Sequence, residues 1–519
     1  MPARIRLFRL PEGTDLCALE ETLRTTFGRV RRDAHPTAYR YADTFDARLY
    51  RSGTVLLLEE TDASGTLWIE QRRPPRRLRS LPMRRLPERP QDLPPGPFRE
   101  ALAERIAPRL LGPVLTLRFD GLTLAFLNRD EKTVTQLLLA TNVSVRAPDG
   151  STATLPPLAL LYPVRGFPRP ARRLRRVLTE EAGAEPLTAH LFDVAATALG
   201  LDPAVHTRGP TVTLDPKERA DRAIRRLLLP LLETMILNEP GLRDGRDPEF
   251  LHDYRVALRR TRTLLGHLKT LFPPEPLERF RAEFKWLGDL TGPVRDLDVY
   301  LLQMDAYRQA LPEAVRTDLA PLEAFLRRER QAAHAALVAA LDTPRYRRLL
   351  AAWRSFLEAD PPEPPPTPEA HRPIRTVASR HIRRAWRRLL RHGHAIRPQS
   401  PPDALHTLRI DAKKLRYLLE SFHSLYPERP VRKLVNDLKR LQDALGAYQD
   451  LAVQQEALQT FARRMAAEGT APVETFTAIG RLEAHLADRQ QHVRTAFTGA
   501  FEHFVRPKNR RRVERLFST

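Results

Sequence analysis

Two kinds of apolar pattern follow each other along this chain of 519 residues. Up to about residue 200, short apolar or alternating runs end at Gly, Asp or Asn, which is typical of strands and turns. The predicted strands are 4–10, 39–43, 54–60, 66–72 and further runs between 114 and 161, the predicted helices are 17–27, 98–111, 169–181 and 187–199, and a Pro- and Arg-rich loop is predicted at 74–97. We therefore predict an α+β domain over residues 1–205, built as an antiparallel barrel.

Beyond residue 211 the apolar positions recur at three- and four-residue steps, which is the period of amphipathic helices. An acidic, Pro-rich segment, 358–373, separates a first helical repeat, 211–357, from a second, 374–519. The predicted helices are 216–238, 248–272, 275–291 and 295–310 in the first repeat and 374–393, 402–425, 428–445 and 449–467 in the second, with a further helix closing each. Gly292 and Gly446 are expected to end the third helix of each repeat. This organisation predicts an all-α domain of two pseudo-symmetric four-helix bundles.

A basic motif occurs once in each helical repeat with identical spacing. The segment 251–262 reads Leu-His-x-x-Arg-Val-x-x-Arg-Arg-x-Arg, and the segment 405–416, 154 residues later, reads Leu-His-x-x-Arg-Ile-x-x-Lys-Lys-x-Arg. The correspondence continues downstream at the same offset, for example from Lys285 to Lys439. An offset that is constant over about 45 residues indicates an internal duplication.

Helix geometry collects most of these basic residues on one face, because positions 0, 3, 7 and 10 of each motif lie on one stripe. The two stripes are His252, Arg255, Arg259 and Arg262, and His406, Arg409, Lys413 and Arg416. Like charges at these spacings repel by a few tenths of a kcal/mol per pair, so anionic groups are expected opposite them. Two interpretations stay open, since the anions are either a ligand or carboxylates of the chain. The candidate carboxylates are Asp289, Asp296, Asp298, Asp443 and Asp450.

The charge balance favours an anionic partner. The chain has 86 Lys and Arg against 63 Asp and Glu, a formal net charge of +23, which is typical of proteins that bind nucleic acid, anionic lipid or a phosphate polymer. The single cysteine, Cys17, excludes an intramolecular disulfide and a Cys-based zinc site. The N-terminus has no apolar leader, and no run of about 18 apolar residues occurs, so we predict a soluble cytoplasmic protein with no membrane partner. The helical half contains no nucleophile–base pair, P-loop or metal-ligand cluster, and we predict no catalytic residue, metal or other cofactor.

The duplicated motif resembles that of the CHAD domain, the conserved-histidine α-helical domain. The resemblance rests on 252–262, on 406–417 and on the Arg-Asp-Leu-Asp segment 295–298. It implies two four-helix bundles that bind inorganic polyphosphate and, in some members, collect at polyphosphate granules. The binding residues that it implies are His252, Arg255, Arg259, Arg260, Arg262, Lys285, His406, Arg409, Lys413, Lys414, Arg416 and Lys439.

The first 200 residues resemble, more distantly, the CYTH domain, the triphosphate tunnel fold that often precedes a CHAD domain. Tyr41-x-Asp43-Thr44-x-Asp46 resembles the Tyr-x-Asp-Thr-x-Asp segment of that family. The family's opening Glu-x-Glu-x-Lys, whose carboxylates hold the metal, is replaced here by Arg-Ile-Arg-Leu-Phe-Arg at 4–9. Arginine cannot ligate Mg²⁺ or Mn²⁺, which require oxygen ligands. We therefore expect a degenerate CYTH-like domain without triphosphatase or cyclase activity.

Polyphosphate binding has physical consequences that can be measured. A groove of Arg and Lys exchanges its counterions for those of the polymer, so we expect affinity to fall steeply with salt and to rise as pH falls through the histidine range. Three alternatives stay open. The same basic faces could bind nucleic acid, the first domain could be a tunnel-type triphosphate hydrolase with rearranged metal ligands (Glu59, Glu60 or Glu70), or that domain could only dock partners or stabilise the helical half.

Overall fold

The chain divides into two units, Met1–Gly209 and Pro210–Thr519, in the computed structural model, which describes residues 4–205, 212–365, 367–397 and 400–518. The first unit is α+β and the second is helical, as predicted. Within the described residues, no helix has both the length and the apolar character that crossing a bilayer requires.

The described part of the first unit contains ten strands and five α-helices. The strands are β1 (Arg6–Arg9), β2 (Val30–Thr44), β3 (Thr54–Thr61), β4 (Gly65–Arg72), β5 (Pro75–Pro82), β6 (Leu111–Leu127), β7 (Thr133–Arg146), β8 (Thr152–Leu155), β9 (Leu158–Pro163) and β10 (Glu185–Leu187). The helices are α1 (Leu16–Phe27), α2 (Arg48–Arg51), α3 (Pro97–Ile106), α4 (Pro168–Arg176) and α5 (Leu191–Ala198).

All ten strands join one antiparallel sheet that curls into a half-barrel. Its order is β10-β1-β9-β7-β6-β2-β3-β4-β5, with β8 paired to β7. The N–H of Ile5, just before β1, donates to the carbonyl of Pro75 in β5 over 2.8 Å, which links the two sides of the sheet. The predicted antiparallel barrel is therefore confirmed in this curled form.

The prediction of a loop over residues 74–97 is wrong for its first part, because Pro75–Pro82 forms β5 at the edge of the sheet. Proline has no N–H for a ladder, so a run bounded by prolines is tolerated as a strand only at an edge. Arginines along this run occupy positions that face either solvent or the sheet interior, and Arg77 is only partly exposed. The composition of this segment concealed the strand.

Side chains alternate between the two faces of the curled sheet, as strand geometry requires. In β9, Leu158 and Leu160 join the inner core with the Tyr39 and Tyr41 rings of β2. Ala159 and Leu161 join an outer core that is covered by α1 and α4. The inner and outer faces of the first unit are therefore chemically separate environments.

The second unit is built from ten α-helices in its described residues, five in each repeat. The first repeat contains α6 (Ala220–Asp244), α7 (Pro248–His267), α8 (Pro274–Gln309), α9 (Ala320–Leu341) and α10 (Pro344–Glu358). The second contains α11 (Ile374–Ala395), α12 (Pro402–Ser421), α13 (Glu428–Glu468), α14 (Val473–Val505) and α15 (Pro507–Phe517). The motif-bearing helices predicted at 248–272 and 402–425 are α7 and α12.

Gly292 and Gly446 do not end helices, contrary to the prediction, since they lie inside the long helices α8 and α13. The predicted third and fourth helices of each repeat are thus one continuous helix. A Cβ built on Gly292 would lie 3.8 Å from Nη1 of Arg255, and one on Gly446 would lie 3.8 Å from Nη2 of Arg409. Both distances are ordinary van der Waals contacts, so these two positions have room for a Cβ, whereas a Cβ on Gly288 would collide with Nη1 of Arg262.

A matched pair of backbone hydrogen bonds joins the starts of the two repeats. The N–H of Ala220 donates to the carbonyl of Arg372 over 3.0 Å, and the N–H of Ile374 donates to the carbonyl of Glu218 over 2.8 Å. Each donor and each acceptor has its counterpart 154 residues away. Equivalent helices also pack on each other, α6 on α11, α7 on α12 and α9 on α14. Both features follow from a pseudo-twofold axis between the repeats.

Both apolar cores of the second unit draw on both repeats. The larger one combines Trp353 and Phe280 of the first repeat with Trp386 and Phe422 of the second. The smaller one packs residues from the C-terminal halves of α8 and α13 between α9 and α14. The α7 and α12 helices that carry the basic motifs are therefore held against each other by a shared core.

Candidate functional site

The basic faces of α7 and α12 merge into one charged surface, which we call the central stripe. Its members are Arg255, Arg259 and Arg262 on α7 and Arg409, Lys413 and Arg416 on α12. Arg255 interacts electrostatically with Arg259 and Arg262 of its own helix. Lys413 interacts with Arg409 and Arg416 and, across the repeats, with Arg259. The duplication thus brings six of the predicted site residues together.

Arg255 anchors the first-repeat end of the stripe. Its guanidinium donates to the hydroxyl oxygen of Thr291 over 2.8 Å and to the carbonyl of Gly288 over 3.2 Å. Burial lowers the pKa of Arg255, and neighbouring arginine charges lower it further against the opposing effect of Asp296. Neutral oxygens therefore fix the orientation of this guanidinium without neutralising its charge.

The second-repeat end is partly neutralised by acidic and amide groups. Arg409 donates to Asp450 over 2.7 Å, and Arg416 donates to the side-chain oxygen of Gln442 over 2.7 Å. Burial lowers the pKa of Lys413 to about 8, and the charges of Arg409 and Arg259 contribute in the same direction. The ammonium of Lys413 is thus held where positive charge is costly, and an anion beside it would relieve that cost.

Two further residues that the sequence prediction omitted tie the repeats together beside the stripe. Glu420 accepts from Arg260 of α7 at 3.1 Å and lies 3.3 Å from Nε of Arg416 on its own helix. The ring of Tyr417 lies near Arg259 and Arg416, with ring-to-Cζ distances of 5.9 Å and 5.6 Å. The position of Glu420 one turn after Arg416 is a local signal that could have indicated this bridge.

Lys414 was predicted with Lys413 but has different neighbours. Its charge acts on His267, at the end of α7, together with the charges of His381 and Arg388. Burial is the main reason that the pKa of His267 falls to about 4. Adjacent helix positions point about 100° apart, so two consecutive lysines cannot both face the central stripe.

The remaining predicted residues lie around the stripe in several environments. Lys285 forms an ion pair with Asp289 at 2.8 Å, and the Arg262 charge also lowers the pKa of that carboxyl. His406 and Lys439 are exposed, whereas His252 is half-buried. Their role in binding stays a prediction.

The carboxylates proposed as partners of the stripe neutralise only part of it. Asp450 pairs with Arg409, Asp289 with Lys285, and Asp298 with Arg330 at 3.0 Å. In the described part of the chain, Arg259, Arg262 and Lys413 have no carboxylate oxygen within 4.0 Å. The two interpretations therefore hold together, with some basic residues paired and an excess of positive charge left at the centre.

The inner face of the first unit also collects charged groups, but these are paired. Arg77 of β5 lies between Glu59 and Glu70, at 3.0 Å and 3.1 Å. The second oxygen of Glu70 lies 3.0 Å from Nε2 of His190. Burial alone would raise the pKa of Glu70, yet the hydrogen bond from His190 and the charge of Arg77 hold it below its usual range.

Aromatic groups complete this inner network. Trp68 donates its indole N–H to Glu59 over 2.8 Å, and the hydroxyl of Tyr39 donates to the same carboxylate over 2.9 Å. The guanidinium of Arg77 lies 3.8 Å from the Trp68 ring centroid and 4.6 Å from that of Tyr162. Every oxygen of Glu59 and Glu70 thus has a partner within the protein.

The three glutamates considered as rearranged metal ligands all pair with arginines, since Glu60 lies 2.7 Å from Arg40. No group of three or more His, Cys, Asp or Glu in the described residues is placed to hold a metal ion. The Tyr41-to-Asp46 segment has a local structural role. Asp43 accepts from the N–H groups of Thr44, Leu49 and Tyr50 and thereby fixes the turn into α2.

Comparison with known proteins agrees with the duplicated motif. The family model of the CHAD domain matches residues 226–459. The uncharacterized protein Rv2226 of Mycobacterium tuberculosis strain ATCC 25618 / H37Rv is 28% identical over 323 residues, which are 60% of this chain and 57% of that protein. This chain thus spans little more than half the length of that curated relative.

Two solved structures are similar to the separate units. The crystal structure of the CHAD domain from the plant Ricinus communis is 27% identical, covers 58% of this chain and 96% of its own, and has a TM-score of 0.48. HpAC1 from Hippeastrum, an adenylyl cyclase candidate with a dominant triphosphatase activity, is 13% identical, covers 38% of this chain and 97% of its own, and has a TM-score of 0.28.

Proposed function

We propose that this chain, which carries a CHAD domain at residues 226–459, binds inorganic polyphosphate along the central stripe. The observation that carries the proposal is the meeting of the two duplicated basic faces around Arg259 and Lys413. These two side chains come from different repeats, interact electrostatically, and have no carboxylate partner among the described residues. A repeated cationic surface of this kind is stabilised by a polyanion that spans both repeats.

The side chains of the stripe suit phosphate oxygens in complementary ways. Guanidinium groups offer paired N–H donors that match two phosphate oxygens, whereas an ammonium is a compact point charge. Arg255 is already oriented by Thr291 and Gly288, so its binding would cost less side-chain entropy than that of an unrestrained arginine. The polymer would release its counterions as it binds, which makes affinity depend on salt.

The stripe suits a phosphate polymer better than single-stranded nucleic acid. Proteins that bind single strands without sequence preference combine basic grooves with aromatic faces on which bases stack. Tyr417, the ring beside Arg259 and Arg416, is only 4% exposed and offers no open face. A basic surface without an exposed aromatic face favours a ligand that carries negative charge but no bases.

The test is binding of long-chain polyphosphate to the full chain and to Arg259→Ala/Lys413→Ala, each over a salt series. We expect the variant to bind at least about tenfold more weakly and to show a flatter salt dependence, since two cation–phosphate contacts are lost. The matched control is Arg348→Ala/Arg463→Ala, which removes two exposed cations outside the stripe. This control should retain nearly full affinity.

Competition with duplex DNA distinguishes specific polyphosphate binding from nucleic-acid binding. We expect polyphosphate to displace DNA far more readily than DNA displaces polyphosphate. Equal loss of affinity in the control and the stripe variant would show that binding follows net charge alone, and a preference for DNA would replace this proposal with a nucleic-acid function.

A further inference from the structure

A second basic site lies on the outer face of the first unit, away from the inner network of Arg77. A cavity of about 750 Å³ opens between the end of α1, the hairpin that joins β6 to β7, and α4. This volume is within the usual range of small-molecule sites. The α4 helix packs on the outer core of the sheet, so the cavity is separated by the sheet from the inner aromatic and acidic groups.

The floor of the cavity is apolar and partly aromatic. It is lined by Phe27 at the end of α1, by Phe167 just before α4, and by the aliphatic side chains of Leu127 and Val134. Both phenylalanines are half-buried, and Phe27 is supported from behind by Phe126, with ring centroids 4.5 Å apart. Phe167 packs against the outer core, so the two rings give the cavity an apolar surface that suits a flat group.

The rim of the cavity is strongly cationic. Five arginines of α4 line it, namely Arg169, Arg172, Arg173, Arg175 and Arg176. In the described residues none of the five forms an ion pair, and Glu180, which also lines the cavity, pairs with none of them. Arg173 lies 5.3 Å from the Phe27 ring centroid, so the charged rim reaches the aromatic floor.

We propose that this cavity binds a nucleoside phosphate, with its base on the Phe27 and Phe167 rings and its phosphates on the arginines of α4. Base–aromatic stacking needs a flat face, and phosphate needs guanidinium forks, and the cavity places both within one small volume. Inorganic phosphate or polyphosphate would leave the apolar floor unused. A lipid surface would require protruding apolar groups, whereas these rings line a recess. The nucleotide is either free or the end of an RNA strand.

The proposal is tested by fluorescence anisotropy of mant-ATP with the full chain carrying Arg259→Ala/Lys413→Ala, so that the central stripe contributes little. Arg172→Ala/Arg176→Ala should weaken mant-ATP binding at least about tenfold, because two phosphate contacts are removed. The charge-matched control, Arg79→Ala/Arg146→Ala, changes exposed arginines elsewhere in the first unit and should bind as the parent does. Phe167→Leu should weaken mant-ATP binding at least about fivefold through lost stacking.

Competing ligands identify what the site recognises. ATP should displace mant-ATP better than tripolyphosphate does, and Phe167→Leu should not change the weak effect of tripolyphosphate. A short oligoadenylate that competes better than ATP would assign the site to RNA ends, and the reverse would assign it to free nucleotide. Equal competition by ATP and tripolyphosphate would show an adventitious anion only and would overturn the proposal, as would equal binding by the arginine variant and its control. All of these proteins already lack the Arg259 and Lys413 side chains of the central stripe. Their mant-ATP binding is therefore independent of whether the second unit binds polyphosphate.

Discussion

The inner network of the first unit and the central stripe of the second both gather positive charge, but they balance it differently. Arg77 lies between the carboxylates of Glu59 and Glu70. Each of the four carboxylate oxygens accepts from a donor within the protein. Arg259 and Lys413 meet across a pseudo-twofold axis with no such carboxylate among the described residues. A buried charge with a complete set of partners contributes to structure, whereas a surface excess of one sign is available for a ligand.

The largest effect is expected from removing Arg77, the arginine between Glu59 and Glu70 in the inner network. Arg77→Met should destabilise the first unit by about 3–5 kcal/mol, because it leaves Glu59 and Glu70 without their counter-ion in a mostly buried site. Hydrogen exchange of β3 and β4 should report this loss, since it resolves one unit of the full chain. Polyphosphate binding by the second unit should not change.

The control for that prediction removes the carboxylate charges as well. Arg77→Met/Glu59→Gln/Glu70→Gln should recover at least about half of the lost stability, because no uncompensated charge remains. Full stability of Arg77→Met would show that the network is not structural, and the glutamates would again become candidates for binding a cation.

The affinity of the central stripe should depend on pH through Lys413. Because the pKa of Lys413 is lowered to about 8 by burial and by Arg409 and Arg259, polyphosphate affinity should fall about fivefold between pH 7 and pH 9. Lys413→Arg should remove this dependence, since arginine keeps its charge over that range. A wild-type affinity that does not change over the range would exclude Lys413 from the site.

The same titration predicts the opposite trend for the unliganded protein. The folded chain releases the Lys413 proton near pH 8, whereas the unfolded chain keeps it until about pH 10.4. The contribution of Lys413 to stability therefore rises with pH over this interval. Urea unfolding of wild type and Lys413→Arg at pH 7 and pH 9 checks the sign.

The smallest expected effect comes from the paired half of the stripe. Asp450→Asn should raise polyphosphate affinity about twofold to fivefold, because Arg409 loses a partly exposed salt bridge and gains freedom to bind phosphate. Glu313→Gln removes one exposed negative charge elsewhere in the second unit and serves as the control. Equal gains in the two variants would indicate a general effect of net charge.

The periodicity of the sequence predicted those features that depend only on the geometry of a single helix. The spacing of the two motifs was enough to place Arg255, Arg259 and Arg262 on one face of α7, because the helix repeat fixes that relation. It could not show that Lys413 lies beside Arg259 of the other repeat. Nor could it show that Lys414 lies near His267 at the end of α7. Nor could it show that Gly288, inside the long helix α8, makes room for Arg262 of α7.

The inner network was also out of reach of the sequence. Glu59 and Glu70 lie on neighbouring strands, and Arg77 reaches them from a segment whose proline content indicated a loop. Carboxylates in a strand pattern are compatible with a metal site and with an ion pair, and only strand pairing shows which cation lies between them. The identity of the bound partner, unlike the fold, depends on such long-range contacts.

The shared cores of the two helical repeats have an evolutionary meaning. Each repeat supplies half of both cores, so a single repeat resembles one subunit of a homodimer more than an independent domain. In a true homodimer, any substitution would appear on both sides of the axis. Covalent fusion has released the two halves from that constraint, and they have diverged. Thr291, which accepts from Arg255, corresponds to Leu445 in the second repeat, where Arg409 donates to Asp450 instead. A polymer with two identical ends would therefore bind to a surface whose two ends differ.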